Sequence, residues 1–418
     1  MIFRKKLLLE FAGLTLAAAS CTAAASGIGI LEDSASGLGN AFAGGAAIAA
    51  DASTIYFNPA GMTYLPDSQL AVAINAIDPT AKFSDGGSAA PALRPLGTNG
   101  GNAGSLAWVP NIYFEQAVTP ALRLGLGINA PFGLKTSYDA GWIGRFQALK
   151  SSVKTININP SVAYRINDTV SLGFGLDYQR IRGELTSAVN LVVGEGSTAM
   201  TGSDAAWGYN FGALFKLSPQ TRIGLAYRSR IKYNLKGSVV SIGSPLLPNG
   251  PASLELTVPD SFSASVFHSL DGKWDLMADA TRTRWSVLQQ LNVLASGTSI
   301  LVVPENWRDT WRVAAGASYH YNEKWLARIG VGYDQSPVPD AYRTARVPDS
   351  DRSELTVGGQ YKFAQNDALD FAYSHLFFKN SSINDLQGVA AAPTSKGNLV
   401  GSYKVSANIL SVQYTHNF

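Results

Sequence analysis

The stretch TININPSVAYRI (155–166) sets the tightest limit on the fold, because it alternates with a period of two. Ile156, Ile158, Pro160, Val162, Tyr164 and Ile166 share one side, and Thr155, Asn157, Asn159, Ser161, Ala163 and Arg165 share the other. A period of two is a strand with one apolar face. The pattern recurs in RLGLGIN, VSLGFGLDY, WGYNFGALFKL, RIGLAYRSR, WRVAAGASYHY and ARIGVGYD. In the last four, Asn210, Lys216, Arg222, Arg228, Arg312 and Arg328 fall among glycines on the polar face. Apolar residues toward lipid and polar residues toward a lumen are the signature of a transmembrane barrel, weak in one strand and strong in sum.

The two ends of the chain agree with export. MIFRKK, the apolar LLLEFAGLTLAAAS and the small residues Ala23–Ala25 read as a secretory leader, residues 1–25. The only cysteine, Cys21, falls in that leader, so the exported chain is expected to carry no disulfide and no thiol. The last segment, NILSVQYTHNF, places Leu410, Val412, Tyr414, His416 and Phe418 on one face and stops on an aromatic. That resembles the C-terminal signal of outer-membrane barrels. No later run reaches the roughly twenty apolar residues that a membrane helix requires. A formal net charge of +3 gives no reason to expect nucleic acid as a partner.

Short turns at VTPA, INDT, LSPQ, LDGK, YNEK and AQND alternate with long connections near 78–106, 131–152, 185–204, 234–254, 287–305, 336–350 and 380–402. About fourteen strands fit this spacing, an even number, as a single-chain bacterial barrel requires. The chain is therefore expected to be all-β: a transmembrane antiparallel barrel over 67–418. Residues 26–66 precede the first strand. They are rich in Gly and Ala, carry Phe42, Ile48, Ile55, Tyr56, Phe57 and Met62, and are expected to form a hatch, or plug, inside the lumen.

Several segments together resemble the long-chain fatty-acid transporter (FadL) family, which includes aromatic-hydrocarbon channels. They are SGLGNAFAGGAAIAADAS, NPAGM, WVPN (108–111), LTVPDSF, RWSVLQQL and WRDTWRVAAGASYHYNEKW running on to DQSPVPDAYRTARVPDSDR. The resemblance implies a hatch motif at Asn58, Pro59 and Ala60, and a kink in the third strand at Pro131, Phe132 and Gly133. It also implies passive uptake of a hydrophobic molecule with sideways exit into the membrane. On that model Pro160 is expected to withhold a donor beside the strand-3 seam.

Cargo is expected first on apolar outer loops, through Val189, Leu191, Val193, Val240, Leu246 and Leu247, with Trp142, Ile143 and Phe146 contributing. It would then meet an inner pocket at Ile28, Ile30 and Leu31. A fatty-acid carboxylate needs a cation there. Arg308 and Arg312 are expected on the inward face, with Arg308 as the leading partner because it also matches a basic position of the family motif. Arg180 and Arg182 fall on the outward face, where lipopolysaccharide phosphates are the expected contact. Long-chain fatty acid is the first cargo reading and uncharged aromatic hydrocarbon the second, with a structural or adhesive barrel as a reading of another class. The histidines His268, His320, His375 and His416 form no recognisable Ser/His constellation, and neither enzyme activity, cofactor nor metal is expected. The chain is read as a monomer.

Overall fold

The computed structural model describes residues 27–191, 194–243, 249–392 and 395–418. The expected leader, Val193, Leu246 and Leu247 lie outside them. A closed wall of fourteen antiparallel strands surrounds the leading segment. In chain order these are β1 (Ser68–Asp85), β2 (Ala107–Ala117), β3 (Leu122–Asn129 and Gly133–Ser137), β4 (Lys150–Arg165) and β5 (Val170–Asn190). β6 (Glu195–Lys216), β7 (Thr221–Arg228 and Ile231–Ile242), β8 (Gly250–Val258 and Ser261–Ser269) and β9 (Trp274–Thr283 and Gln290–Ala295) follow. The wall continues through β10 (Thr298–Pro304 and Thr310–His320), β11 (Trp325–Asp334), β12 (Arg352–Lys362) and β13 (Asp367–Phe378 and Ser381–Leu386). It ends with β14 (Asn398–Asn417), which closes on β1 from Gln69↔Asn417 to Asp85↔Gly401. Pairing of β14 with β1 removes the two free edges that an open sheet would present to lipid.

The alternation read from the sequence sorts the faces. Ile156 and Ile158 are exposed, while Asn157 and Asn159, which alternate with them, are buried against the interior. The same holds for Val313 against Arg312 and for Ile329 against Arg328. Aromatic pairs mark the wall's outer belt, including Tyr178–Trp207 at 5.0 Å and Trp325–Tyr361 at 4.3 Å between ring centroids. Such rings sit where lipid meets water.

Pro160 lies within a few residues of Ile128, as expected, but it does not withhold its donor from the strand-3 seam. It stands opposite Leu126 on β3, within an unbroken run of pairs, and the break falls in its other ladder, where no pairs form between Ile158↔Tyr178 and Ser161↔Gly175. The missing donor is therefore withheld from β5. The Leu176 carbonyl is satisfied instead by the Asn159 side-chain amide at 2.8 Å.

Residues 27–65 fold inside the wall through three one-turn helices, α1 (Ala35–Leu38), α2 (Gly45–Ile48) and α3 (Thr54–Phe57), and a 3-10 helix, Pro59–Tyr64. α1 packs on β12, β13 and β14, α2 on β7 and β8, and the 3-10 helix on β4, β5 and β6. Asn58 ties this segment together and to the wall. Its Oδ1 accepts from the Ala60 amide at 3.0 Å, and its Nδ2 donates to the carbonyls of Ala46 at 2.6 Å and Ala213 at 3.1 Å. Pro59 follows at the first helical position, where a missing N–H costs nothing.

The wall glycines explain the fit. A Cβ on Gly212 would lie 1.8 Å from Asn58 Oδ1, and one on Gly173 would lie 2.3 Å from the Ala60 amide nitrogen. Gly212→Val is therefore expected to push Asn58–Ala60 off the wall. The change should destabilise the inner segment by roughly 2–4 kcal/mol, through overpacking and lost hydrogen bonds. Limited proteolysis of the folded barrel should then cut within 27–65, sites that stay protected in the parent chain.

Candidate functional site

The third strand breaks at Ala130–Phe132. Asn129 stands opposite Asn157, but Gly133 stands opposite Lys154, so three residues face two on β4. This is a bulge, and Pro131 within it cannot donate to a ladder. The bulged segment turns inward and pairs with the leading segment. The Ile30 amide donates to the Pro131 carbonyl at 2.8 Å, and the Gly133 amide donates to the Ile28 carbonyl at 2.8 Å. On the other side, β2 pairs with β3 only from Ile112↔Ile128 downward. Ala107–Asn111 pair with β1 alone, so the wall beside the bulge has an unzipped interval.

Polar side chains line this interval. The Glu32 carbonyl accepts from the amides of Asn75 at 2.7 Å and Asn111 at 2.9 Å. Asp33 Oδ1 accepts from Asn129 at 3.1 Å and Tyr113 at 3.4 Å, while its Oδ2 has no partner among the described residues. Burial pushes the Glu32 carboxyl up to about 7 and the Asp33 carboxyl up to about 8. A proton on Asp33 removes a charge that burial would otherwise penalise.

Above the leading segment lies a cavity of about 180 Å³ that abuts the bulge at Pro131 and Phe132. Ile30, Leu31, Phe42 and Phe57 form its apolar floor, and Trp285 and Phe132, 6.2 Å apart edge to face, form part of its wall. Ile28 packs beside it in a buried cluster with Trp285 and Trp307. Three arginines reach the cavity from β7, β10 and β12. Arg228 bonds Asp177 at 2.5 Å and stacks 4.2 Å over the Tyr56 ring. Arg312 donates to the Ala41 carbonyl at 2.6 Å and meets Glu354 at 3.1 Å. Arg352 pairs with Asp334, and with Asp349 at 3.6 Å. Arg312 thus takes the inward place expected of it. Arg228 was legible as an inward residue, whereas Arg352 closes the family-resembling segment DQSPVPDAYRTARVPDSDR without any local sign of the face it takes.

Arg308 is not a cavity residue. Its side chain is 61% exposed and meets the Ser336 carbonyl at 3.3 Å and Asp351 at 3.9 Å. The strand stops at Pro304 and resumes at Thr310, with Asn306 at φ +44°, so alternation does not carry across. The outer-loop expectation is also corrected. Val189 and Val240 lie within the long strands β5 and β7, not in loops, and Val240 points outward at 52% exposure. Leu191 is half-buried at the turn that follows β5. Trp142, Ile143 and Phe146 are buried, Trp142 stacking on Tyr138 at 3.9 Å, so they pack a loop and offer no capture surface.

A lower cavity of about 300 Å³ lies at the end of the wall bearing the short turns, lined by Arg222, Asp275, His320, Arg328 and Gln360. Phe42, Gly45 and Phe57 border both cavities, with the two phenyl rings 5.6 Å apart. Each histidine has one polar partner, such as Asp275 for His320 at 2.7 Å and Asp367 for His416 at 2.7 Å. Among the described residues, no group of His, Cys, Asp and Glu is arranged to hold a metal.

Comparison with known proteins follows the same lines. The family model described as outer membrane protein transport protein (OMPP1/FadL/TodX) matches residues 16–418. The long-chain fatty acid transport protein of Escherichia coli K12 is 29% identical over 427 residues, covering 91% of this chain and 95% of that one. Outer membrane protein P1 of Haemophilus influenzae is 30% identical over 450 residues, 97% of each chain. The crystal structure of a Pseudomonas aeruginosa FadL homologue superposes with a TM-score of 0.88 at 26% identity, covering 94% of this chain and 100% of that one. The Ralstonia pickettii toluene transporter TbuX has the same fold, with a TM-score of 0.66 at 20% identity over 90% of this chain and 96% of its own.

Proposed function

This chain belongs to the outer membrane protein transport (OMPP1/FadL/TodX) family, hydrophobic-compound transporters of the Gram-negative outer membrane, and we propose that its own cargo is a long-chain fatty acid that leaves sideways through the bulge in β3. The observation that carries the route is the cavity ending on Pro131 and Phe132, beside the interval where β2 has no partner on its β3 side. Residues 27–65 act as the hatch, and Asn58–Ala60 fasten it. Transport of this kind is passive: each methylene moved from water to an apolar site gains about 0.8 kcal/mol, and the membrane core receives the chain at no loss. No catalytic step is needed.

The carboxylate is assigned to Arg312. Its Glu354 partner comes from the wall, so a cargo carboxylate can replace that contact without leaving the guanidinium bare. Uncharged aromatic cargo is the second reading, because acid partners already compensate all three arginines. Labelled palmitate and toluene binding to Arg312→Ala separates the two. Palmitate is expected to weaken roughly ten- to hundredfold, the worth of one charge-assisted bond, with toluene unchanged. Equal palmitate binding by parent and variant would remove the assignment.

On the lipid side, Lys154 and Arg182 stand directly opposite one another, with Arg180 one outward position below. Like charges so placed repel, and among the described residues none has an acid within ion-pair distance. Their proposed counter-charge is lipopolysaccharide phosphate.

A further inference from the structure

The Arg312 cavity has two unlike sides. Its floor is apolar, but its wall on β8, β9 and β10 presents hydroxyl groups in register. Two rows face the cavity, with one residue from each strand. The upper row is Ser261, Thr283 and Thr310, which stand directly opposite one another across the three strands. The lower row is Ser263, Thr281 and Arg312. Rows two residues apart lie about 7 Å apart along the strands.

The two rows are bonded differently. In the lower row, Ser263 Oγ and Thr281 Oγ1 are 2.7 Å apart, and Thr281 donates on to Asp279 at 3.0 Å. Arg312 is held by the Ala41 carbonyl and by Glu354. In the upper row, none of the three side-chain hydroxyls has a hydrogen-bond partner among the described residues. Thr310 carries the point furthest, because it is only 3% exposed and yet lines the cavity. A hydroxyl so enclosed is satisfied only by what occupies the space in front of it. Water can do so in an empty cavity, but a plain alkyl chain expels the water and offers no polar atom in return. A site built to bond a hydroxyl discriminates against the analogue that lacks one.

We propose that this row selects a long-chain acid that carries a hydroxyl or keto oxygen along its chain, with the carboxylate at Arg312 and the chain oxygen bonded by Ser261, Thr283 and Thr310. Serine and threonine hydroxyls both donate and accept, so the row suits either group. Ile30, Leu31, Phe42 and Phe57 receive the apolar remainder of the chain. The inference rests on the fatty-acid reading of the same cavity and narrows it.

The test measures binding of palmitate and of a panel of monohydroxypalmitates to the full chain in nanodiscs. At least one member of the panel should bind the parent roughly tenfold tighter than palmitate, about the worth of one or two hydrogen bonds to groups otherwise left unmet. Ser261→Ala with Thr283→Val and Thr310→Val removes the polar atoms and keeps nearly the same shape. That hydroxy acid should then bind about tenfold more weakly, while palmitate binds several-fold tighter because its chain meets methyl groups. The order of preference therefore reverses. Weakening of both ligands together would mark a distorted cavity and overturn the proposal, as would a preference that survives the triple variant. A parent that binds palmitate as tightly as every hydroxy acid removes this inference alone and leaves the fatty-acid reading standing. A parent that binds toluene but no acid of either kind removes both.

Discussion

Deleting Pro131 is expected to cut palmitate uptake by whole cells roughly ten-fold or more while leaving a folded barrel, because it removes both the extra residue and the missing donor. At present Ala130–Phe132 stand against Thr155 and Ile156. With one residue fewer, the register that ends at Asn129↔Asn157 continues into the upper half of β3. The strand can then run straight past Ala107–Asn111, whose second side is unpaired by β3. New ladder bonds would zip the interval, at the expense of the two bonds to Ile28 and Ile30. Heat-modifiable mobility on gels checks that the barrel forms, and binding of palmitate to the purified variant checks that capture survives. Uptake at the parental rate from a correctly folded variant would rule out the bulge as the exit.

How much of this was legible depended on whether the signal was local. The faces of β4 were readable because Ile156 and Asn157 report lipid and lumen by alternation alone. The bulge at Pro131 was readable because proline and glycine act on their own backbone. Arg308 was misread for the same reason in reverse. Parity was carried through Glu305–Asp309, where the chain leaves the sheet and Asn306 turns left-handed, so the count lost its meaning.

Val189 and Val240 failed differently. Their apolar runs were taken for loops, but β5 and β7 continue far beyond the length needed to cross a membrane, roughly ten residues. Extended hairpins and apolar loops share the same composition. The convergence of Arg228, Arg312 and Arg352 on one cavity could not have been found from spacing. It depends on the stagger between β7, β10 and β12 and on where the leading segment leaves space. Pro160 shows the same limit in miniature: the sequence showed that a donor was missing, but not which neighbour would miss it.

If the floor of the upper cavity is what directs cargo sideways, removing that floor should open a second way out. Phe42 and Phe57 separate the upper cavity from the polar lower one, whose far end reaches the turn at 321–324. Phe42→Ala with Phe57→Ala removes the septum and leaves every wall strand untouched. The hatch should lose roughly 3–5 kcal/mol for the buried Phe42 ring and less for the half-buried Phe57 ring, but the ladder that holds the wall does not pass through it. In planar bilayers the parent is expected to stay silent, and the double variant to show discrete, steady conductance. Silence of the variant would mean that other hatch residues close the lumen. The more demanding arm places both changes in the Pro131-deleted chain. Uptake should then return in part, by the lumen, because the Arg312 anchor is kept and only the side exit is shut. Recovery would show that deletion had blocked a path. Failure to recover in a chain that does conduct would mean that the deletion had damaged capture, and the lateral route would lose its main support.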